Sequence, residues 1–84
     1  MFYTYILISK TDKKTYTGHT ANVTKRFNEH NEGFVRSSKK YSPYEILKVE
    51  EFSTLQEAKT RELYYKNYRG RQKIKSLIEK RNSF

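Results

Sequence analysis

Five side chains in this sequence have the types and spacings that phosphodiester chemistry uses: Tyr5, Tyr16, Arg26, His30 and Glu62. Arg26 lies eight residues after Gly18 and His30 four after Arg26, so guanidinium and imidazole should project side by side from one helix. A guanidinium grips a phosphate through paired hydrogen bonds and steadies charge as it builds on phosphorus. An imidazole takes or gives a proton near neutral pH, although a histidine that is merely satisfied structurally is the commoner case. Tyr5 and Tyr16 fall in adjacent strand-like segments, where cross-strand aromatic packing is the plain alternative to chemistry. With a pKa of about 10, a phenol is a poor base unless cations favour the phenolate. Arg26 and a metal on Glu62 would provide them.

Glu62 is the odd member of a helical stripe. Leu55, Ala58, Glu62 and Tyr65 recur at helical spacing and should face a sheet together. An ionised carboxylate there is costly unless paired or metal-bound. An ion pair with Arg26 or a lysine is therefore one reading and a metal site the other; the two are compatible in a cleft.

The elements that must position these groups follow from local pattern. Tyr3 to Ser9 is rich in aromatic and β-branched residues and nearly continuous in apolar ones, which predicts a central strand. Lys10 to Lys14 is a short polar connection to a second strand, Thr15 to Thr20, in which Gly18 suggests a bulge or a close backbone approach. Asn22 can cap a helix whose face carries Val23, Phe27 and His30, with Arg26 at its border. Gly33 suits a left-handed residue after that helix. Residues 34–42 read as a mobile basic loop. After Pro43, Tyr44 to Phe52 predicts a third strand whose alternation picks no clean face. Ser53 and Thr54 offer overlapping capping boxes with Gln56 and Glu57 for a helix to about Asn67. Gly70 reads as a break before a last helix, about Arg71 to Arg81. The order is β-β-α-β-α-α, an α+β domain spanning 1–84 with no repeat or low-complexity tract.

Composition narrows the functions. The chain has 84 residues and no cysteine, which excludes disulfides and thiolate metal sites and fits a cytoplasmic setting. With only His19 and His30 as imidazoles, zinc is improbable, and a hard cation held by oxygen is the metal to expect. The first eight residues lack a basic leader and are too short to span a bilayer. Net charge is +9, and residues 59–81 hold nine basic side chains against two acidic ones. Such a domain is attracted to polyanions in a salt-dependent way. A lysine-rich soluble surface is the bland reading, and an anionic membrane is disfavoured because no strongly amphipathic helix is evident.

The pattern resembles the GIY-YIG nuclease family, most of all its small stand-alone bacterial members, which are similar to the N-terminal domain of the excision-repair incision subunit. Tyr3-Thr4-Tyr5 stands at the first motif and Tyr16-Thr17-Gly18 at the second. Arg26, His30 and Asn31 continue the match, as do Pro43-Tyr44-Glu45, Glu50-Glu51-Phe52, and Glu57-Ala58 leading to Arg61-Glu62, over roughly residues 3–80. The resemblance implies a three-stranded antiparallel sheet flanked by helices and hydrolysis of phosphodiesters with one divalent metal, Mg2+ or Mn2+. It implies that Tyr16 or Tyr5 activates or orients the attacking water, Arg26 holds the scissile phosphate, His30 assists a tyrosine and Glu62 holds the metal. The chain departs from the motifs at Tyr3, in place of glycine, and at the two threonines, in place of isoleucine. Twelve residues after Glu62 it has Ile74 where several family nucleases carry asparagine, while His19 stands at a variable position as a structural or phosphate-contacting residue.

These readings lead to a metal-dependent endonuclease acting on DNA, with repair or recombination as its setting and Lys39, Lys40, Lys66, Arg69, Arg71 and Lys73 as backbone contacts. The alternative is a nucleic-acid-binding module on the same scaffold with little or no turnover, for which Ile74 and the small size speak. A protein-interaction domain explains the charge only as solubility and gives no reason for Glu62 on an apolar stripe. A monomer is the default state. Nothing in the sequence fixes DNA against RNA or the preferred structure of the target.

Overall fold

A computed structural model describes residues 1–81, so the last three positions of the 1–84 domain reading lie outside the described residues. The elements are β1 (Phe2–Ser9), β2 (Thr15–Thr20), α1 (Val23–Asn31), a 3₁₀ turn (Lys39–Tyr41), β3 (Tyr44–Phe52), α2 (Leu55–Lys66) and α3 (Tyr68–Arg81). The sheet is antiparallel in the order β2-β1-β3, the α+β arrangement that the sequence implies.

β1 is nearly continuous in apolar residues because it is the middle strand and both its faces are covered; Thr4 through Ser9 are all buried. Its alternation sorts the core into two layers. Tyr5 and Leu7 point to one side, with Tyr44, Tyr16, Phe27 and Tyr41. Ile6 points to the other, with Tyr65, Ile74, Leu47, Leu77 and Ile78. Thr4 shares this second side and donates to the Ala58 carbonyl at 2.7 Å, which seats α2 on the sheet. The ambiguous alternation of β3 has a physical cause. Ile6 pairs with Lys48 and Leu7 with Ile46, so a bulge leaves Leu47 without a partner strand residue and turns it into the helical core.

Helix ends follow the caps. Asn22 accepts from the Lys25 amide, Gly33 adopts φ +80, and Thr54 forms a reciprocal capping box with Glu57. Three expectations are corrected. Gly70 does not break the last helix: the break falls at Asn67, whose side chain accepts from the Gly70 amide and starts α3. Gly70 is glycine because a Cβ there would stand 1.9 Å from the Tyr64 carbonyl oxygen, so closely does α3 approach α2. Leu55 is not part of the buried stripe. It opens α2, the first turn of which faces solvent, and is 40% exposed. The basic segment 34–42 is tied in by Ser38, which is buried and whose carbonyl accepts from the Tyr44 hydroxyl at 2.8 Å.

Candidate active site

Tyr5, Tyr16, Arg26 and His30 meet on the α1 side of the sheet. Tyr5 pairs with Gly18 across the ladder, and its ring runs over the glycine: a Cβ at position 18 would lie 2.4 Å from the Tyr5 hydroxyl. Of the two expectations for Gly18, the close approach holds, and the β1–β2 register is unbroken. Tyr16 pairs with Leu7, which places it diagonal to Tyr5 rather than opposite, and its ring lies 4.5 Å from that of His30. His30 is fully buried on the last turn of α1, between Tyr5, Tyr16 and Tyr44.

A hydrogen-bonded chain runs through this cluster. The Tyr5 hydroxyl lies 3.0 Å from His30 Nε2, and His30 Nδ1 lies 2.5 Å from Ser38 Oγ. Burial lowers the His30 pKa to about 4, and the neighbouring Arg26 charge adds to the effect, so the ring is neutral at physiological pH. Burial also raises the Tyr5 phenol above its ordinary value, against the pull of the Arg26 guanidinium at its oxygen. Arg26 in turn is held by that phenol and by Glu29, which it meets at 3.2 Å.

Glu62 approaches from the other side of the sheet. Its Oε1 is 2.7 Å from His19 Nδ1, on β2, and its Oε2 is 2.7 Å from Lys66 Nζ. Burial alone would raise its pKa, but the hydrogen bonds from Lys66 and His19 outweigh this and leave the carboxyl below its ordinary value. The lysine form of the ion-pair reading therefore describes this carboxylate, and the Arg26 form does not. Glu62 is nonetheless near enough to oppose ionisation of Tyr5 through its charge. His19 is the residue whose place here the sequence reading left open. Strand alternation was the signal for it, since His19 and Thr17 share the face that α2 covers, opposite Gly18.

Two clefts open along β2. One of about 320 Å³ is lined by Tyr16, Lys66, Arg71 and Ile74, the other, about 460 Å³, by His19, Asn22, Lys25 and Arg26. The Tyr16 hydroxyl has no hydrogen-bond partner among the described residues. Of the expected backbone contacts, Lys66 and Arg71 border the first cleft, Arg69 and Lys73 are exposed on α3, and Lys39 and Lys40 are exposed on the 3₁₀ turn. Ile74, where several family nucleases carry asparagine, packs in the core and shows only its edge to the first cleft.

No group of three or more histidines or carboxylates gathers among the described residues, which rules out a closed all-protein cage there. One ionised carboxylate beside an open cleft does fit a hydrated Mg2+ or Mn2+, which keeps several waters and takes oxygens from the substrate. Lys66 is 54% exposed and free to leave Glu62 Oε2 for such an ion.

A three-stranded antiparallel sheet, with tyrosines on its first two strands, arginine and histidine on the helix that follows and a glutamate on the next, defines a nuclease-type fold. A family model described as the GIY-YIG catalytic domain matches residues 1–75, and the chain belongs to that family. It is similar to the UPF0213 protein YazA of Bacillus subtilis, 34% identical over 80 residues that cover 94% of this chain and 81% of that protein. It is also similar to a UPF0213 protein of Clostridium perfringens, 36% identical with 95% and 86% covered. A UPF0213 protein of Staphylococcus haemolyticus is 39% identical with 93% and 95% covered. No solved structure matches the chain. Membership implies nucleic acid as the substrate class and a divalent metal as the general requirement of the family's nucleases. No helix among the described residues is long and apolar enough to cross a membrane.

Proposed function

We propose that this chain is a divalent-metal-dependent endonuclease that hydrolyses phosphodiester bonds in DNA, in the setting of repair or recombination. The observation that carries the reading is the junction at the Tyr5 oxygen, where a buried neutral imidazole, a guanidinium and, at longer range, the Glu62 carboxylate act on one phenol. Such convergence on a group beside open clefts is what a catalytic site requires and a packing cluster does not. Arg26 would hold the scissile phosphate and stabilise its growing charge. Tyr16, with its hydroxyl unengaged among the described residues, would meet the attacking water, while Tyr5, fixed by His30, would orient it. Glu62 would hold the Mg2+ or Mn2+ ion, which when bound supplies charge stabilisation to the leaving oxygen.

The test is cleavage of supercoiled plasmid and of branched oligonucleotides with Mg2+, with Mn2+ and with chelator, for the parent and for Glu62→Ala and Arg26→Ala. Cleavage confined to the parent with metal supports the roles. Equal activity in parent and Glu62→Ala would refute them.

A second reading rests on a specific observation: both Glu62 oxygens are engaged by protein groups, and Ile74 is in the core. A binding module with little turnover would hold nucleic acid equally well after Glu62→Ala and cleave nothing before it.

A further inference from the structure

We infer that Ser38 is a positioning residue: its hydroxyl fixes His30 as the Nδ1–H tautomer, which aims the Tyr5 proton inward at Nε2 and turns the Tyr5 oxygen lone pairs toward Arg26. The three side chains form a buried line, with Tyr5 2%, His30 0% and Ser38 1% exposed. The contacts are 3.0 Å between Tyr5 Oη and His30 Nε2, and 2.5 Å between His30 Nδ1 and Ser38 Oγ. A neutral imidazole offers one donor and one acceptor, so the partner that needs a donor decides which nitrogen carries the hydrogen. Ser38 Oγ has a second acceptor for its own hydrogen in the Val35 carbonyl at 3.3 Å, which lets it accept from Nδ1. In that arrangement Nδ1 is the donor, and Nε2 is bare to accept from Tyr5.

The serine is itself immobilised. Its amide donates to the Val35 carbonyl at 3.1 Å, and its carbonyl accepts from the Tyr41 amide at 3.2 Å and from the Tyr44 hydroxyl at 2.8 Å. The next two residues are Lys39 and Lys40, exposed on the 3₁₀ turn. One short segment thus carries two cations facing solvent and the hydroxyl that sets the tautomer inside. A strand held by those lysines and the orientation of Tyr5 are joined through a single backbone position.

The kinetic consequence rests on the nuclease reading; the tautomer does not. The experiment is nitrogen NMR of protein carrying labelled histidine, with cleavage kinetics on the same samples. The parent should show His30 as one neutral Nδ1–H tautomer. Ser38→Ala, with the parent's circular dichroism, should show mixed tautomers and a kcat lowered about 10- to 100-fold with KM little changed. Ser38→Thr, which restores the hydroxyl, should recover both. A parent spectrum with the hydrogen on Nε2 overturns the inference even if no variant folds, as does a Ser38→Ala protein that keeps the tautomer and the rate. If the parent cleaves nothing, the nuclease reading fails, and the spectrum alone decides the tautomer.

Discussion

Acidification should destabilise this fold through His30 well before Glu50 or Glu62 is protonated. The ring is fully buried, and its pKa falls from an ordinary 6.5 to about 4. Between those values the unfolded chain binds a proton that the folded one refuses, so stability rises with pH. The contribution is complete above pH 6.5, shrinks as pH falls to 4 and is constant below that. At about 1.36 kcal/mol per pH unit the whole span is worth about 3 kcal/mol, of which about 2 kcal/mol is lost between pH 6.5 and 5. The charges that bear on the ring are Arg26, which pushes its pKa down, and Glu29, which pushes it up. Glu50 and Glu62 lie below their ordinary 4.5, so their contributions are present above that value and are lost only as pH falls past it. The upper window therefore belongs to histidine. Urea unfolding followed by circular dichroism at half-unit pH steps measures the slope for the parent and for His30→Gln. The amide does not titrate, and other groups cancel in the difference. Parallel stability curves for the two proteins from pH 6.5 to 5 would refute a buried neutral ring.

Three further outcomes are expected. Gly18→Ala should cost about 1–3 kcal/mol in urea unfolding and at least about tenfold in cleavage, because the new methyl meets Tyr5 Oη and Cζ and pushes the ring off His30; a parent-like rate excludes that contact. Gly70→Ala should destabilise by about 3 kcal/mol or more, since its methyl collides with the backbone at Tyr64 and Tyr65; an unchanged Tm would mean that α2 and α3 are further apart. Replacing Lys39 or Arg71 by alanine should lower the slope of log affinity against log salt by about 1 each, with the loss uniform across sequences; an unchanged slope removes that residue from the backbone contacts.

What was legible in the sequence was local. Thr54 and Glu57 announce a helix start at a separation of three, Gly33 marks a helix end, and an unbroken apolar run from Tyr5 to Ile8 marks a middle strand. Helical spacing likewise brought Arg26 beside His30. The partners of Glu62 and His30 were not legible in the same way. His19 reaches Glu62 over 43 positions, and Ser38 reaches His30 from a segment with no periodicity. Which basic side chains meet a carboxylate depends on how the sheet edge meets the helices, and no spacing rule encodes that. Leu55 failed for a related reason: a stripe is buried only where the sheet extends beneath it, and the first turn of α2 faces solvent. The Gly70 misreading is a matter of chemistry rather than distance, since glycine signals a break in the chain and a close approach equally well.

The energetics of the Tyr5–His30 couple decide which phenol can meet the water. Burial raises the Tyr5 phenol above its ordinary value and lowers His30 to about 4, so moving the Tyr5 proton onto His30 runs strongly uphill. Forming an imidazolium inside a ring of aromatics would consume much of the acceleration it was meant to supply. His30 is therefore an acceptor that holds Tyr5, and Tyr5 is a protonated phenol whose lone pairs are its useful surface. On the proposed nuclease reading the proton of the attacking water goes elsewhere, and Tyr16, whose hydroxyl is unengaged among the described residues, is the phenol left to meet it. Tyr5→Phe should then slow cleavage by loss of orientation and leave its pH dependence in place. Tyr16→Phe should remove most of the rate. The reverse pattern in the cleavage rates of the two variants would exchange the roles and make the buried couple the base after all.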